Sequence, residues 1–224
     1  LPDAGASTVR FAALGDTGSG EAGQREVARA LATKCASAGC DFVTLLGDNL
    51  YPSGASSSHA AEFESRFEVP YRDVATDFFA VLGNHDYGHG GLGTDFARGQ
   101  NEVDYSKVSQ KWKMPAAYYK VERGPLLLVG TDTNMQMFGR DDAQRRDVKE
   151  WLTTSTAKWR IVLGHHPYLS NGPHGNAGSY NGAPMVPIQN GAHVKAFYDD
   201  VICGNADLHL SGHDHSRQWM TETC

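Results

Sequence analysis

The chain has 224 residues, 40% of them hydrophobic and 21% charged, with a formal net charge of −6. That composition excludes a disordered chain, and the length supports a real core, since chains above about 150 residues bury some 70% of their unfolded surface. No basic block stands ready to neutralise a nucleic-acid backbone, and no apolar run approaches the ~18 residues of a membrane-spanning helix, which leaves a small molecule as the expected partner.

In chain order, the apolar run 9–14 ends at Gly15-Asp16 and predicts a buried strand that hands its last residues to a loop. Residues 21–34 place Val27, Ala28, Ala30 and Leu31 at helical spacing. Residues 42–46 predict a second buried strand, ending in Gly47-Asp48, and 53–58 a Gly/Ser loop. A third strand, 78–82, ends in Gly83-Asn84-His85-Asp86. The glycine-rich stretch 87–100 reads as irregular, and 104–112 as a helix stopped near Pro115. Residues 118–121 and 126–131 predict a hairpin joined across 122–125. A helix is expected over 142–153, then a strand over 159–163 ending in Gly164-His165-His166-Pro167, and a loop over 170–187. Residues 192–201 predict a last helix, and 208–210 a strand ending in Gly212-His213-Asp214-His215. The alternation of strands and helices predicts a layered α/β fold, one domain over residues 1–224.

Cys35, Cys40, Cys203 and Cys224 allow three pairings. Their placement favours Cys35–Cys40 and Cys203–Cys224 and an oxidising, extracytoplasmic setting; four free thiols in a cytosolic protein is the alternative. The opening at Leu1, without Met or a signal-peptide pattern, reads as a processed or trimmed product.

Five predicted strands thus end in glycine followed by Asp, Asn or His. In open α/β sheets ligands gather outside the carboxyl ends of the strands, and a glycine there is expected to let the backbone turn. Each motif alone reads as a turn, a cap or a solvated histidine. Together Asp16, Asp48, Asn84, His165, His213 and His215 are O and N donors suited to divalent or trivalent metals. Such ions would also bring local positive charge to a small phosphorylated substrate.

These motifs, in this order from residue 15 to residue 215, resemble the calcineurin-like metallophosphoesterases. Most branches of that superfamily carry a ligating His two positions after the first Asp, where Gly18 stands here. In purple acid phosphatases the replacing ligand is a tyrosine three residues after the bridging Asp, and Tyr51 holds that place. The segment YSKVSQKWKMPAAY, 105–118, is similar to the small single-domain members of that branch. The resemblance implies an α/β/β/α sandwich of two mixed sheets flanked by helices. Members run some tens of residues past the last His-x-His, so an ending at Cys224 implies missing C-terminal strands.

It also implies a ligand set. Asp16, Tyr51 and His215 would hold one metal, Asn84, His165 and His213 the other, and Asp48 would bridge them. A phenolate needs a strong Lewis acid, so the implied cofactors are Fe(III) with a second divalent ion, iron, zinc or manganese. His85 would donate a proton to the leaving group and His174 would contact the substrate phosphate. Alternatives stand beside these: a packed core tyrosine for Tyr51, a solvated loop residue for His174, and His166 in place of His165. Asp86 either orients His85 or is a turn residue. The implied activity is hydrolysis of phosphate monoesters with an acidic optimum. Its rivals are a phosphodiesterase or nucleotidase with two divalent ions and a metal-binding domain without turnover. The stretch 132–141 is short where animal members carry a regulatory loop, which implies no activation by cleavage there. Specificity is expected in loops 53–58, 88–100 and 171–187.

Overall fold

The computed structural model describes residues 5–182, 186–221 and 224. Leu1 and the 183–185 part of the loop expected at 170–187 lie outside them. The chain runs β1 (Phe11–Leu14), α1 (Ala22–Ala38), β2 (Phe42–Leu46), α2 (Ala61–Phe63, continuing as a wider turn over Glu64–Glu68), β3 (Phe78–Val81), α3 (Phe96–Tyr105) and β4 (Trp112–Lys113). It continues with β5 (Tyr119–Arg123), β6 (Leu126–Gly130), α4 (Thr133–Met137), α5 (Asp142–Thr154), β7 (Trp159–Leu163), α6 (Gly191–Phe197, widening over Tyr198–Ile202) and β8 (Leu208–Leu210).

Strands buried on both faces read as continuous apolar runs, and such runs form parallel sheets. Phe42–Leu46 is buried at every position and sits between β1 and β3, all parallel. The first sheet has the order β1-β2-β3-β4 and the second β5-β6-β7-β8, where only the β5–β6 hairpin is antiparallel. The side-chain period of two sorts β6 and β7 between two cores. Leu126, Leu128, Ile161 and Leu163 pack against the first sheet. Leu127, Val129 and Val162 face outward onto Val148 and Leu152 of α5 and Val194 and Phe197 of α6. The result is the expected two-sheet sandwich flanked by helices, except that the first sheet is parallel throughout and only the second is mixed.

The segment between β3 and β4 departs from expectation. The helix lies at Phe96–Tyr105, not over 104–112, and it takes in part of the stretch 87–100 that read as irregular. Trp112 instead opens β4, where its fully buried indole donates from Nε1 to the Glu102 carbonyl at 3.0 Å. It meets Phe63, Phe67 and Tyr105 edge to face at centroid distances of 5.8, 4.9 and 5.9 Å. Tertiary packing of aromatics, not helical periodicity, decides this region. The sulphurs of Cys35 and Cys40 stand 2.09 Å apart, and those of Cys203 and Cys224 2.13 Å, the short-range pairing that their placement favours.

Truncating Trp112 to Ala empties the junction of four aromatic rings. The variant should lose about 3–5 kcal/mol of unfolding free energy, read as a lower urea midpoint at unchanged slope. A loss below about 1 kcal/mol would mean that the junction collapses around the gap.

Candidate metal centre

All five glycine motifs meet at the carboxyl ends of β1, β2, β3, β7 and β8. Of their glycines only Gly47 needs a positive φ (85°). Gly83 is small for another reason than turning: a Cβ there would lie 2.2 Å from Asp48 Oδ1 and 2.9 Å from His165 Cε1. The left-handed backbone falls instead on Asp16 (φ 57°), Asp48 (53°) and His213 (70°). Such conformations cost about 1–3 kcal/mol each and persist only where the surroundings over-determine them, commonly at functional sites.

Two groups of side chains converge. In the first, the Tyr51 hydroxyl lies 3.3 Å from Asp16 Oδ1, 3.0 Å from Asp48 Oδ2 and 3.1 Å from His215 Nε2. In the second, His165 Nε2 lies 2.9 Å from Asn84 Oδ1 and 3.1 Å from His213 Nδ1. Asp48 faces both, since its other oxygen, Oδ1, is 3.4 Å from His165 Nε2. Asp16, Asp48 and His165 alone offer three ligand atoms within 4.8 Å of one another. The expected residues are therefore neighbours, and Tyr51 is not packed into hydrocarbon.

Gly18 explains how Tyr51 arrives. A Cβ at Gly18 would lie 1.8 Å from the Asn49 carbonyl oxygen, so the first loop presses directly on the second. The Tyr51 amide then donates to the Gly18 carbonyl at 3.0 Å. No side chain fits at residue 18, and the phenol from residue 51 enters the space beside Asp16.

The electrostatics fit a cationic guest. Burial, then the carboxylates of Asp48 and Asp16, drive the Tyr51 phenol far above its ordinary pKa. Burial and the neighbouring Asp48 charge raise Asp16, although His165 and His215 oppose them. Burial, with His166 and His165 alongside, pushes His213 far down and so keeps it in the neutral, ligating form. Two ring nitrogens facing each other at 3.1 Å beside two carboxylates make a donor set suited to shared cations.

The adjacent histidines take different environments. His165 is anchored through Nδ1 to the Leu46 carbonyl at 2.9 Å, which turns Nε2 into the centre. His166 instead bonds the Thr133 hydroxyl through Nδ1 at 2.8 Å and lies stacked beside Tyr180. His85 sits at the rim, with Nδ1 2.8 Å from the Pro52 carbonyl and Nε2 4.0 Å from Asp48 Oδ2. His174 lies over the other end, its ring centroid 4.0 Å from that of His213.

Asp86 neither orients His85 nor merely makes a turn. Its buried carboxylate accepts the amides of Asn49 (2.8 Å), Leu50 (3.1 Å) and Gly83 (2.8 Å), which ties the Asp48 loop to the Asn84 loop. Behind it, fully buried Glu102 of α3 accepts from Asn49 Nδ2 at 3.3 Å. Burial pushes Asp86 up to about 6. Burial and the Asp86 charge raise Glu102 well above the usual carboxyl range. Sequence reading missed Glu102 because the helix that presents it was placed too late. It also missed Thr133 of α4, whose hydroxyl accepts the amides of His165 and His166 at 3.3 and 3.0 Å. Asn134 and Gln136 of α4 are polar and buried as well: Asn134 Nδ2 donates to the Gly93 carbonyl at 3.0 Å, and Asp132, which caps the helix, accepts from the Tyr87 hydroxyl.

The sequence profile of the calcineurin-like phosphoesterase family matches residues 9–217. Tartrate-resistant acid phosphatase type 5 of Rattus norvegicus is 28% identical over 248 residues, covering 97% of this chain and 69% of the relative. Purple acid phosphatase 17 of Arabidopsis thaliana is 28% identical over 243 residues, covering 96% of this chain and 64% of the relative, so the chain spans less than two thirds of that protein. Among solved structures, GAP50, the anchor in the inner membrane complex of Plasmodium, aligns with a TM-score of 0.67 at 22% identity over 92% of this chain and 66% of its own. A dimetal phosphatase from Danio rerio aligns with a TM-score of 0.54 at 12% identity over 92% and 82%. At those identities the two structures speak for the fold alone. Because the profile runs through every strand-end motif, from Gly15-Asp16 to Gly212-His213-Asp214-His215, the chain belongs to the calcineurin-like phosphoesterase family.

Proposed function

We propose that the chain hydrolyses phosphate monoesters at a binuclear centre. Asp16, Tyr51 and His215 would hold Fe(III), Asn84, His165 and His213 would hold a second divalent ion (iron, zinc or manganese), and Asp48 would be shared between them. The observation that carries this is the Asp48 carboxylate, with Oδ2 turned to the Tyr51 group at 3.0 Å and Oδ1 to the His165 group at 3.4 Å. The similarity to animal and plant acid phosphatases supports the same reading. The paired cysteines support an extracytoplasmic setting.

Ions held there supply Lewis acidity toward a phosphoryl group and toward water. The chain's own residues orient and protonate. Asn84 presents Oδ1 inward because its Nδ2 is fixed to the Gly91 carbonyl at 2.8 Å, and it adds no charge. The Leu46 carbonyl fixes the His165 ring in the same way, as such partners of ligating histidines do. His85 gives Nδ1–H to the Pro52 carbonyl. A second proton on its Nε2, on the open side, then goes to the departing alkoxide. His174 holds a phosphate oxygen from the opposite rim.

Three outcomes are expected. Iron-replete protein should be violet or pink from phenolate-to-Fe(III) charge transfer, and Tyr51→Phe should lose that band; a violet Y51F protein would end the tyrosinate assignment. His85→Ala should cost about 10²–10⁴ in kcat on an alkyl phosphate and far less on an activated aryl phosphate. Equal losses on both remove His85 from the acid role. The pH profile of kcat should have an acidic optimum; a wild-type profile peaking well above neutrality would contradict the assignment.

A further inference from the structure

The motif Gly212-His213-Asp214-His215 sends two histidines to the metal centre, and the carboxylate between them goes elsewhere. The Asp214 side chain is almost wholly buried, with 2% of its surface exposed. Its Oδ1 lies 2.7 Å from His174 Nδ1 and accepts the His174 backbone amide at 3.1 Å. The Ser170 hydroxyl donates to its other oxygen.

The loop that carries His174 is wrapped around this carboxylate. A Cβ at Gly172 would lie 2.3 Å from Asp214 Cγ and 2.6 Å from each of its oxygens, so only glycine lets the loop close over it. The Gly172 amide and Gln218 Nε2 both donate to the Ser170 hydroxyl, at 2.9 and 3.0 Å. The Asn171 amide donates to Gln218 Oε1 at 2.7 Å, which ties the loop to the segment just past the motif.

We propose that Asp214 is the positioning residue of His174, locking its ring so that Nε2 is the atom offered to the substrate phosphate. The clause about phosphate rests on the function proposed above; the locking does not. Both oxygens of Asp214 act as acceptors, Oδ1 from the His174 amide and the other from the Ser170 hydroxyl, so Nδ1 carries the proton in this pair. The hydrogen bond at one ring nitrogen decides the state of the other. Nε2 is therefore left on the far side of a ring whose side chain is 47% exposed and whose plane lies 33° from that of His213. One tripeptide then serves both ends of the reaction site: His213 and His215 toward the metals, and Asp214 toward the histidine that meets the substrate.

The test uses the whole metal-loaded protein, with D214A, D214N, H174A and the D214A/H174A double variant. The first readout is the imidazole ¹⁵N spectrum of His174, assigned by its loss in H174A, at a pH where the ring is neutral. The parent should show the Nδ1–H tautomer, and D214A should shift it toward Nε2–H. The second is affinity for inorganic phosphate, followed with metal content. D214A and H174A should each weaken phosphate binding about 10–100-fold at unchanged metal content, and the double variant no more than either alone. An unchanged His174 tautomer in D214A overturns the proposal, as do losses that multiply in the double variant. A D214A protein that loses metal but keeps the tautomer also overturns it, by assigning Asp214 to the ligand loop. If D214A does not fold, D214L, of similar volume and without an acceptor, is read by the same tautomer criterion, and D214N, whose Oδ1 still accepts, should keep the parent tautomer. A parent that hydrolyses no phosphate ester would defeat the proposed function, while the spectrum would still decide the role of Asp214.

Discussion

Two carboxylates, a phenol and three imidazoles crowded into one partly buried cleft repel or waste one another's lone pairs unless positive charge sits among them. Tyr51 bonded between Asp16 and Asp48 is the centre of that crowding. Much of what is unusual nearby serves to hold it. Three candidate ligands accept left-handed backbone, at a cost of about 1–3 kcal/mol apiece. Glycines at 18 and 83 give up side chains so that neighbouring loops can touch. Burial beside Asp86 raises Glu102 well above the usual carboxyl range, which opposes a second buried negative charge there. The stiffness behind these compromises comes from two sheets whose inner strands β2, β3 and β6 are buried along their whole length. Such a scaffold fixes the strand ends, and the loops that leave those ends carry every candidate ligand.

The strands were legible because parallel strands covered on both faces must be apolar without interruption. Residues 42–46, 159–163 and 208–210 fall where the hydrophobic runs place them. The grouping of Asp16, Asp48, Asn84, His165, His213 and His215 was legible for a related reason, since each follows such a run, whereas Tyr51 rested on the resemblance alone. Helices fared worse. The α3 helix carries a glycine and a buried glutamate on its inner face, so its apolar stripe is broken and its position could not be read from period. Helix α4 is less legible still. Thr133, Asn134 and Gln136 are all buried, and a buried polar turn resembles an exposed loop when only letters are visible.

Asp86 and Asp214 teach a second lesson. Asp86 stands two residues after the candidate ligand Asn84 and Asp214 between the candidate ligands His213 and His215, and each turns away from the centre. Asp86 gathers backbone amides from two loops, whereas Asp214 gathers a histidine and its loop. Adjacent residues at the end of a strand point in opposite directions, so a short motif serves two layers of the same site. Spacing alone identifies the layer nearest the metals. The outer layer depends on which loop folds over it, and that depends on contacts between residues far apart in the chain.

Helix α4 has a mechanical consequence. Its hydroxyl at Thr133 grips the backbone of the histidine pair after β7, its amide at Asn134 grips the glycine loop at Gly93, and its capping Asp132 receives Tyr87. A single turn of helix is thus bolted at three points to parts of the cleft that come from different sheets. Any partner, insertion or ligand that levers this turn out of place moves both walls at once. The segment is a fulcrum.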